Sequence, residues 1–180
     1  MVSFVLGVHV TPVQIWAGPL SASLSSGVNM LRFVVSDILT DDAALIRREV
    51  FMDEQGFVNE FDETDEVSRH IVAYDGDSPV AVCRITPGED GVCHLGRVAV
   101  VSDHRGRSLG SILLREAEVQ ASDIGQRRMV LGAQVRAKGF YERQGYVAYG
   151  EEYMDEWCPH IMMGKDLRSH RRVGRGTPPS

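Results

Sequence analysis

The chain has 180 residues, of which 43% are hydrophobic and 24% are charged, a composition ordinary for one globular domain with a buried core. Its net charge of −6 disfavours a nucleic-acid partner, because such proteins use a basic surface to neutralise phosphates. The three cysteines, Cys83, Cys93 and Cys158, form no CxxC pair. This argues against a disulfide framework or a zinc site and favours a reducing compartment. We therefore expect no metal and a cytoplasmic location.

Residues 1–29 are apolar, rich in Ser and Gly, and interrupted by Pro12 and Pro19. No Lys or Arg precedes Arg32, and no apolar run reaches the roughly 18 residues of a membrane span. The segment therefore predicts neither a secretory signal nor a membrane partner. We interpret it as a disordered leader, or as a start assigned too early with Met30 as the functional first residue.

A regular pattern begins at Met30 and predicts one folded domain over residues 30–168. Residues 30–35 are apolar and β-branched, which predicts a strand. Residues 41–54 begin with two acids and carry apolar side chains at helical spacing, which predicts a helix. The acidic stretch 60–66 is expected to be a solvated loop or a frayed helix.

Three strands are predicted next, over residues 70–74, 79–85 and 92–101. The two segments between them, residues 75–78 and 87–91, contain the Gly, Pro and Asp typical of hairpin turns. These three strands are therefore expected to pair antiparallel.

The second half of the domain alternates helices and strands. Helices are predicted over residues 108–122 and 137–144, the second ended by a glycine. Strands are predicted over residues 128–133, 146–149 and 160–163. The order βα, three antiparallel strands, αβαβ and a last strand predicts an α+β fold with a mixed, mostly antiparallel sheet of about six or seven strands flanked by helices. The basic tail, residues 169–180, is expected to be disordered.

The segment with the strongest chemical signal is residues 96–114, which reads as a buried strand, a glycine-containing loop and a helix. Such an arrangement directs backbone N–H groups and the positive end of a helix at one point, which makes an anion site. Gly106 and Gly110 allow close approach of a phosphate, and Arg105 and Arg107 add positive charge. A Walker loop would end in Gly-Lys-Ser/Thr, and a Rossmann fingerprint would not follow antiparallel hairpins.

Residues 105–111 resemble the Arg/Gln-x-x-Gly-x-Gly/Ala signature of the GNAT superfamily of acetyltransferases. In that family the loop holds the pyrophosphate of coenzyme A. One departure is that Ser108 stands where the pattern has its first Gly, which should restrict the backbone without removing the site. The resemblance implies the following coenzyme-binding residues: Arg105, Gly106, Arg107, Ser108, Leu109, Gly110 and Ser111.

Residues 131–146 resemble a second family segment, Asn-x-x-Ala-x-x-Phe/Leu-Tyr-x-x-x-Gly-Phe, with Gln134 in place of the Asn. The resemblance implies that Gln134, Ala137 and Phe140 contact the coenzyme. It also implies that Tyr141 lies beside the coenzyme sulfur and protonates the leaving thiolate. The alternative is that Phe140 and Tyr141 only pack their helix on the sheet.

The resemblance further implies a bulge in the strand that carries Val98, Ala99 and Val100. In the family this bulge splays the strand from its neighbour, so that the pantetheine arm fits between the two. A backbone N–H near these residues would then stabilise the charge that develops on the thioester oxygen.

The general base is left open among three candidates, namely His94, Glu151 and His160. His94 lies six residues before Val100 and would share its face if the strand ran straight. Glu151 and His160 lie on the closing strands, where the family binds its acceptor, and could bind substrate or take its proton.

The span 45–163 looks most like the ElaA-type subgroup of the family. The implied function is acetyl transfer from acetyl-CoA, as cosubstrate, to a small-molecule or peptide amine, in a monomer or a homodimer. Alternatives are a coenzyme-binding sensor, a purely structural domain, and an acyl-homoserine-lactone synthase, whose opening motif is echoed by residues 47–51 and 62–65. The sequence does not name the acceptor.

Overall fold

A computed structural model describes residues 31–167 of the chain. The predicted leader, residues 1–29, and the predicted tail, residues 169–180, lie outside this range. No helix among the described residues is long and apolar enough to cross a membrane.

The described residues form one seven-stranded sheet with helices on both faces. The strands are β1 (Leu31–Ser36), β2 (Arg69–Asp75), β3 (Ser78–Pro87), β4 (Val92–Val100), β5 (Arg128–Gln134), β6 (Val147–Asp155) and β7 (Cys158–Asp166). Their order in the sheet is β1-β2-β3-β4-β5-β7-β6. The β4–β5 pair is parallel and the other neighbours are antiparallel. The predicted α+β fold with a mixed sheet is confirmed.

The helices are α1 (Asp41–Arg47), α2 (Leu109–Asp123) and α3 (Lys138–Arg143). Helix α1 starts at Thr40, whose side chain accepts a hydrogen bond from the backbone N–H of Ala43, as expected for an N-cap threonine. It continues directly into a π-helix over Arg48–Glu54. Short 3₁₀ turns cover residues 63–67, 89–91, 102–104 and 135–137.

The core has two parts because each strand alternates its side chains between the faces of the sheet. One part packs α2 on the sheet and includes Leu113, Ile85 and Met129. The other packs α1 on the opposite face and includes Ile46 and Val82. The helix spacing predicted from the sequence therefore directs most apolar side chains to the sheet, whereas Leu45 on α1 and Ile112 on α2 are exposed.

Strands β4 and β5 stay together for only three residue pairs, from Val92 with Arg128 to His94 with Val130. Beyond these pairs the two strands separate, although both continue for several residues. The predicted splay between neighbouring strands is therefore present.

A bulge in β4 accompanies the splay. Val82 pairs with Ala99 and Arg84 with Gly96, so one residue separates the partners on β3 but two separate them on β4. Arg97 lies in this bulge with a left-handed backbone, at φ +54°. An extra residue in one strand bends it and re-aims its side chains and N–H groups.

The acidic stretch 60–66 differs from its prediction. Glu60 and Asp65 are buried, with 4% and 7% of their surface exposed. They are buried because Arg47 lies against both, with its Nε 2.7 Å from Glu60 Oε1 and its Nη1 2.6 Å from Asp65 Oδ1. Arg84 Nη1 is also 2.8 Å from Asp65 Oδ1. Glu60 and Asp65 thus belong to a buried ion cluster, and the expectation of a solvated stretch was wrong for these two residues. The remaining acids, Asp62, Glu63 and Glu66, are exposed as expected.

Candidate active site

A cleft of about 870 Å³ opens where β4 and β5 separate. Its walls come from the ends of these two strands, the π-helix and the loop after it, helix α3 and the β6–β7 turn. Among the predicted site residues, the lining includes Val98, Ala99, Val100, Arg105, Gln134, Ala137, Tyr141 and His160.

The predicted phosphate loop leads from β4 into the N-terminus of α2. Gly106 has φ +76°, and Ser108, the residue before the helix, has φ +60°. The serine thus takes the left-handed conformation that the family pattern assigns to glycine, and its side chain makes no capping hydrogen bond. A Cβ on Gly110 would lie 3.4 Å from the Phe140 ring, so the small residue lets α2 approach α3 closely.

Arg105 crosses from this loop to the end of the π-helix. Its Nη1 and Nη2 lie 2.7 and 2.6 Å from the two carboxylate oxygens of Glu54, and its Nε donates to the Val100 carbonyl at 2.8 Å. The hydrogen bond from Arg105 lowers the pKa of Glu54. In this structure the Arg105 charge is therefore already paired. Arg107 is exposed.

Tyr141 lies on α3 with its side chain buried and its ring at the wall of the cleft. It packs edge-to-face against Phe140 and Tyr146, with ring centroids 5.0 and 5.9 Å apart. Burial raises the pKa of Tyr141, so its phenol keeps its proton at neutral pH. The ring therefore packs the helix on the sheet, and Tyr141 also forms part of the cleft wall.

His160 is buried on β7 and lines the same cleft. Its Nδ1 lies 3.0 Å from the Cys158 carbonyl oxygen. Because a carbonyl only accepts hydrogen bonds, Nδ1 must carry the proton, which leaves Nε2 of the neutral ring as an acceptor. The ring stacks on Tyr153 with a centroid separation of 5.8 Å. This arrangement suits a general base.

His94 does not line the cleft, and its predicted position relative to Val100 was wrong. Before the bulge, Cys93 and Leu95 belong to the core part under α2; after it, Val98 and Val100 pack against that part. The extra residue changes the alternation, so His94 and Val100 face opposite sides of the sheet. His94 is exposed at the last β4–β5 pair.

Glu151 is also outside the cleft. It is exposed on β6, in the part of the strand where pairing with β7 is irregular between Tyr149 and Tyr153. The carboxylates that the β6–β7 turn contributes to the cleft are instead Asp155 and Glu156. The structure thus brings only His160 of the three candidate bases together with Tyr141.

Gln134 ends β5 and connects three parts of the cleft wall. Its Nε2 donates to Gln55 Oε1 at 2.9 Å, and its Oε1 accepts from Arg136 Nε at 2.8 Å. The residue that replaces the family Asn therefore joins β5 to the end of the π-helix. The sequence did not indicate this contact, because Gln55 is 79 positions away.

The wall of the cleft near the β6–β7 turn contains residues that the sequence did not single out. Glu156 accepts hydrogen bonds from the backbone N–H groups of Val58 and Asn59 at 2.9–3.2 Å, and these bonds lower its pKa. Phe57 in the same loop packs on Trp157 with ring centroids 5.4 Å apart. These contacts hold residues 57–59 against the β6–β7 turn, so that this wall of the cleft is aromatic and acidic.

Comparison with known proteins assigns the chain to a family. Residues 38–167 match the family model of the acetyltransferase (GNAT) domain. The chain belongs to the GNAT acetyltransferase family. The family resemblance predicted from residues 105–111 and 131–146 is thereby confirmed, and the seven-stranded sheet with a splayed β4–β5 pair is the GNAT fold.

Relatives include YjcF of Bacillus subtilis, named as an uncharacterized N-acetyltransferase, which is 39% identical over 128 residues that cover 69% of this chain and 91% of that protein. The crystal structure of Escherichia coli ElaA superposes with a TM-score of 0.69 and 26% identity, covering 76% of this chain and 99% of that one. A Bacillus subtilis acetyltransferase solved in complex with CoA has a TM-score of 0.61 and 15% identity, covering 77% and 100%; this likeness shows the fold alone. Together the comparisons support an acetyltransferase related to ElaA.

Proposed function

We propose that this protein is an acetyl-CoA-dependent N-acetyltransferase that acts on a small-molecule or peptide amine. The observation that carries the proposal is the position of Tyr141. Its buried phenol, with a raised pKa, lines the cleft at the point where β4 and β5 separate. A coenzyme sensor or a structural domain has no need of a proton donor at this point.

The groove between the strands fits acetyl-CoA as the cosubstrate. After His94, β4 has no strand partner on the β5 side, so backbone groups on that edge are open to a pantetheine arm. The loop at Gly106 and Ser108 and the N-terminus of α2 offer N–H groups to a pyrophosphate. The CoA-bound Bacillus subtilis relative has the same fold, which supports this placement.

His160 and Tyr141 then act as the base and the acid of the acetyl transfer. The amine nitrogen attacks the thioester carbonyl carbon, and the carbon–sulfur bond breaks. His160 Nε2 takes the proton that the amine nitrogen loses, and Tyr141 gives its proton to the departing sulfur. A β4 N–H near Val98 stabilises the charge on the carbonyl oxygen in the transition state. Solvent exchange returns a proton to Tyr141 from His160.

The wall of the cleft near the β6–β7 turn favours an acceptor amine with an apolar or aromatic body. Phe57 and Tyr153 line it, and Asp155 makes no ion pair among the described residues. A carboxylate at this edge attracts an ammonium group, which must release one proton to solvent before its neutral nitrogen attacks the thioester. The amines that test this preference are arylalkylamines, aliphatic polyamines and short peptides with free N-termini.

The test is release of free thiol from acetyl-CoA in the presence of each amine, with mass spectrometry of the acceptor. Amine-dependent thiol release with formation of the N-acetyl product supports the proposal. Tight CoA binding without transfer to any amine would instead favour the sensor. Absence of CoA binding would favour the structural domain.

Two further parts of the proposal concern the state of the protein in the cell. A cytoplasmic location is supported by three cysteines that are all buried and free, Cys83, Cys93 and Cys158.

A homodimer is proposed as the assembly, and light scattering of the purified protein distinguishes it from a monomer.

A further inference from the structure

Arg97 occupies a conformation that its residue type disfavours. It lies in the β4 bulge at φ +54°, where a side chain other than glycine's costs about 1–2 kcal/mol. Such a conformation persists only where the surrounding contacts impose it. The contacts of Arg97 therefore indicate what holds the bulge.

The guanidinium of Arg97 is clamped by the loop that precedes the 3₁₀ turn at 63–67. Its Nε lies 3.1 Å from both the carbonyl oxygen and the carboxylate Oε1 of Glu60, and its Nη2 lies 3.1 Å from Asp62 Oδ2. We call these contacts to Glu60 and Asp62 the Arg97 clamp.

Each of the two acids of the clamp also forms an ion pair with a second arginine. Arg47, which is fully buried, holds Glu60 at 2.7 Å, and Arg84 holds Asp62 at 2.8 Å. The clamp is thus anchored in the buried ion cluster, which cannot move without separating charges inside the protein. This anchoring makes the clamp rigid.

The clamp acts on the part of β4 that faces the cleft. Gly96, Arg97 and Val98 all line the cleft, and the dihedral angles of Arg97 set the direction of the next peptide, whose N–H belongs to Val98. Removal of the guanidinium would let the bulge relax and turn that N–H away.

We propose that Arg97 is a positioning residue, whose clamp to Glu60 and Asp62 holds the bulge so that the Val98 N–H points at the thioester oxygen. This inference rests on the proposed function. It assigns to the buried ion cluster a role in the acetyl transfer step, beyond its role in folding.

The variant Arg97→Gly tests the role, because glycine tolerates the left-handed backbone while the clamp is lost. The protein should be less stable, because the buried Glu60 loses one of its cationic partners, but it should still fold, since Glu60 and Asp62 keep Arg47 and Arg84 as partners. The single-turnover rate of acetyl transfer should fall at least tenfold, as an oxyanion donor is typically worth about 10²–10³ in rate. The Kd for CoA should stay within about twofold of wild type, and Arg97→Lys should recover part of the rate.

Asp90→Gly is the matched control. Asp90 also has a positive φ, +57°, but lies in the β3–β4 turn, outside the cleft. It should keep the wild-type transfer rate, which separates loss of the clamp from relief of backbone strain. If Arg97→Gly fails to fold, Asp62→Asn weakens the clamp from its partly exposed end and should lower the rate in the same direction.

A second readout does not need an acceptor. Infrared difference spectra with carbonyl-labelled acetyl-CoA should show the thioester stretch at lower frequency when bound to wild type than when free, and closer to the free value in Arg97→Gly. Equal rates and equal band positions in the two proteins would overturn the inference. A raised KM for the amine at unchanged rate would also overturn it, since the clamp would then serve acceptor binding. A wild type that binds acetyl-CoA but acetylates no amine would count against the proposed function. The infrared bands would then show independently whether Arg97 positions the Val98 N–H.

Discussion

The guanidinium of Arg105 and the carboxylate of Glu54 form two parallel hydrogen bonds of 2.7 and 2.6 Å. The bond joins the phosphate loop to the end of the π-helix, and both residues are about two-fifths exposed. Because Glu54 neutralises the cation, the pyrophosphate of the proposed cosubstrate would have to compete with this carboxylate for Arg105.

This competition predicts opposite effects of two variants on CoA affinity. Glu54→Gln should tighten CoA binding by about two- to fivefold, since an exposed ion pair is worth up to about 1 kcal/mol. Arg105→Ala should weaken it by about tenfold, because a charge-assisted hydrogen bond is lost and Glu54 is left to repel the phosphates. Isothermal titration calorimetry measures both.

Arg128→Ala is the matched control, because Arg128 is 43% exposed and also forms a surface ion pair, through one hydrogen bond to Asp166. It lies outside the cleft and should leave CoA affinity unchanged. If Arg105→Ala binds CoA as tightly as this control, Arg105 does not contact the pyrophosphate.

Substitutions of Ser108 and Gly106, two residues of one loop with positive φ, should change the stability in opposite directions. Ser108→Gly should raise the free energy of unfolding by about 0.5–1 kcal/mol, because glycine accepts the left-handed backbone without strain. Gly106→Ala should lower it by about 1 kcal/mol for the converse reason, although no atom lies within 4 Å of the added Cβ. Urea denaturation measures both, and a destabilised Ser108→Gly would show that the serine side chain has a stabilising contact.

The lowered pKa of Asp65 predicts how the free energy of unfolding decreases at acidic pH. Burial alone would raise the pKa of Asp65, but hydrogen bonds from Arg47 and Arg84 hold it well below its ordinary range. The unfolded chain therefore binds a proton to this group more readily. The resulting stability is fully present above the unfolded pKa of about 4 and is lost as the pH falls toward the folded pKa.

Asp65→Asn should accordingly lower the free energy of unfolding at pH 7 by about 3–5 kcal/mol, the usual effect of breaking a buried ion pair. The difference from wild type should shrink below about pH 4, where the unfolded-state carboxyl becomes protonated. Asp37→Asn, which breaks an exposed pair with Arg69, should change it by less than about 1 kcal/mol. Equal losses in the two variants would mean that the cluster does not stabilise the fold.

The assignment of the base predicts different transfer rates for two histidine variants. His160→Asn keeps a donor for the Cys158 carbonyl but has no basic nitrogen, so transfer should fall by about 10²-fold. His94→Asn should keep the wild-type rate in the same single-turnover assay, and the reverse pattern would move the base to His94.

The sequence predicted the elements well where one local pattern decided them. The glycine loop before α2 and the Phe140–Tyr141 pair on α3 could be located because their spacing is short and their residue types are restricted. The apolar spacing in residues 41–54 likewise predicted the helical segment, although its second half is a π-helix.

The predictions that failed depended on a single inserted residue or on distant partners. His94 would share the face of Val100 only in a straight strand, and the family resemblance implied a bulge without showing that its extra residue lies between these two positions. The acidic residues at 60–66 looked solvated because their partner Arg47 lies 13 and 18 positions away. Contacts such as Glu156 to Asn59 join segments 97 positions apart, and only the folded sheet brings them together.

The proposed chemistry depends most on the hydroxyl of Tyr141. Tyr141→Phe keeps the ring that packs between Phe140 and Tyr146 and deletes only the proton donor, so the fold and the Kd for CoA should be unchanged. Phe140→Leu, which changes packing in the same helix and leaves the hydroxyl in place, is a control for altered packing. Because burial raises the pKa of Tyr141, wild-type transfer should also persist above pH 10, where an ordinary tyrosine loses its proton.

The most direct test is single-turnover acetyl transfer by wild type and Tyr141→Phe, with the same amine and saturating acetyl-CoA. Single turnover removes product release from the measured rate. The account predicts a rate lower by about 10²-fold or more in the variant, because positioned acid catalysis is typically worth 10²–10⁴. Equal rates would contradict it and would make the Tyr141 hydroxyl a structural group.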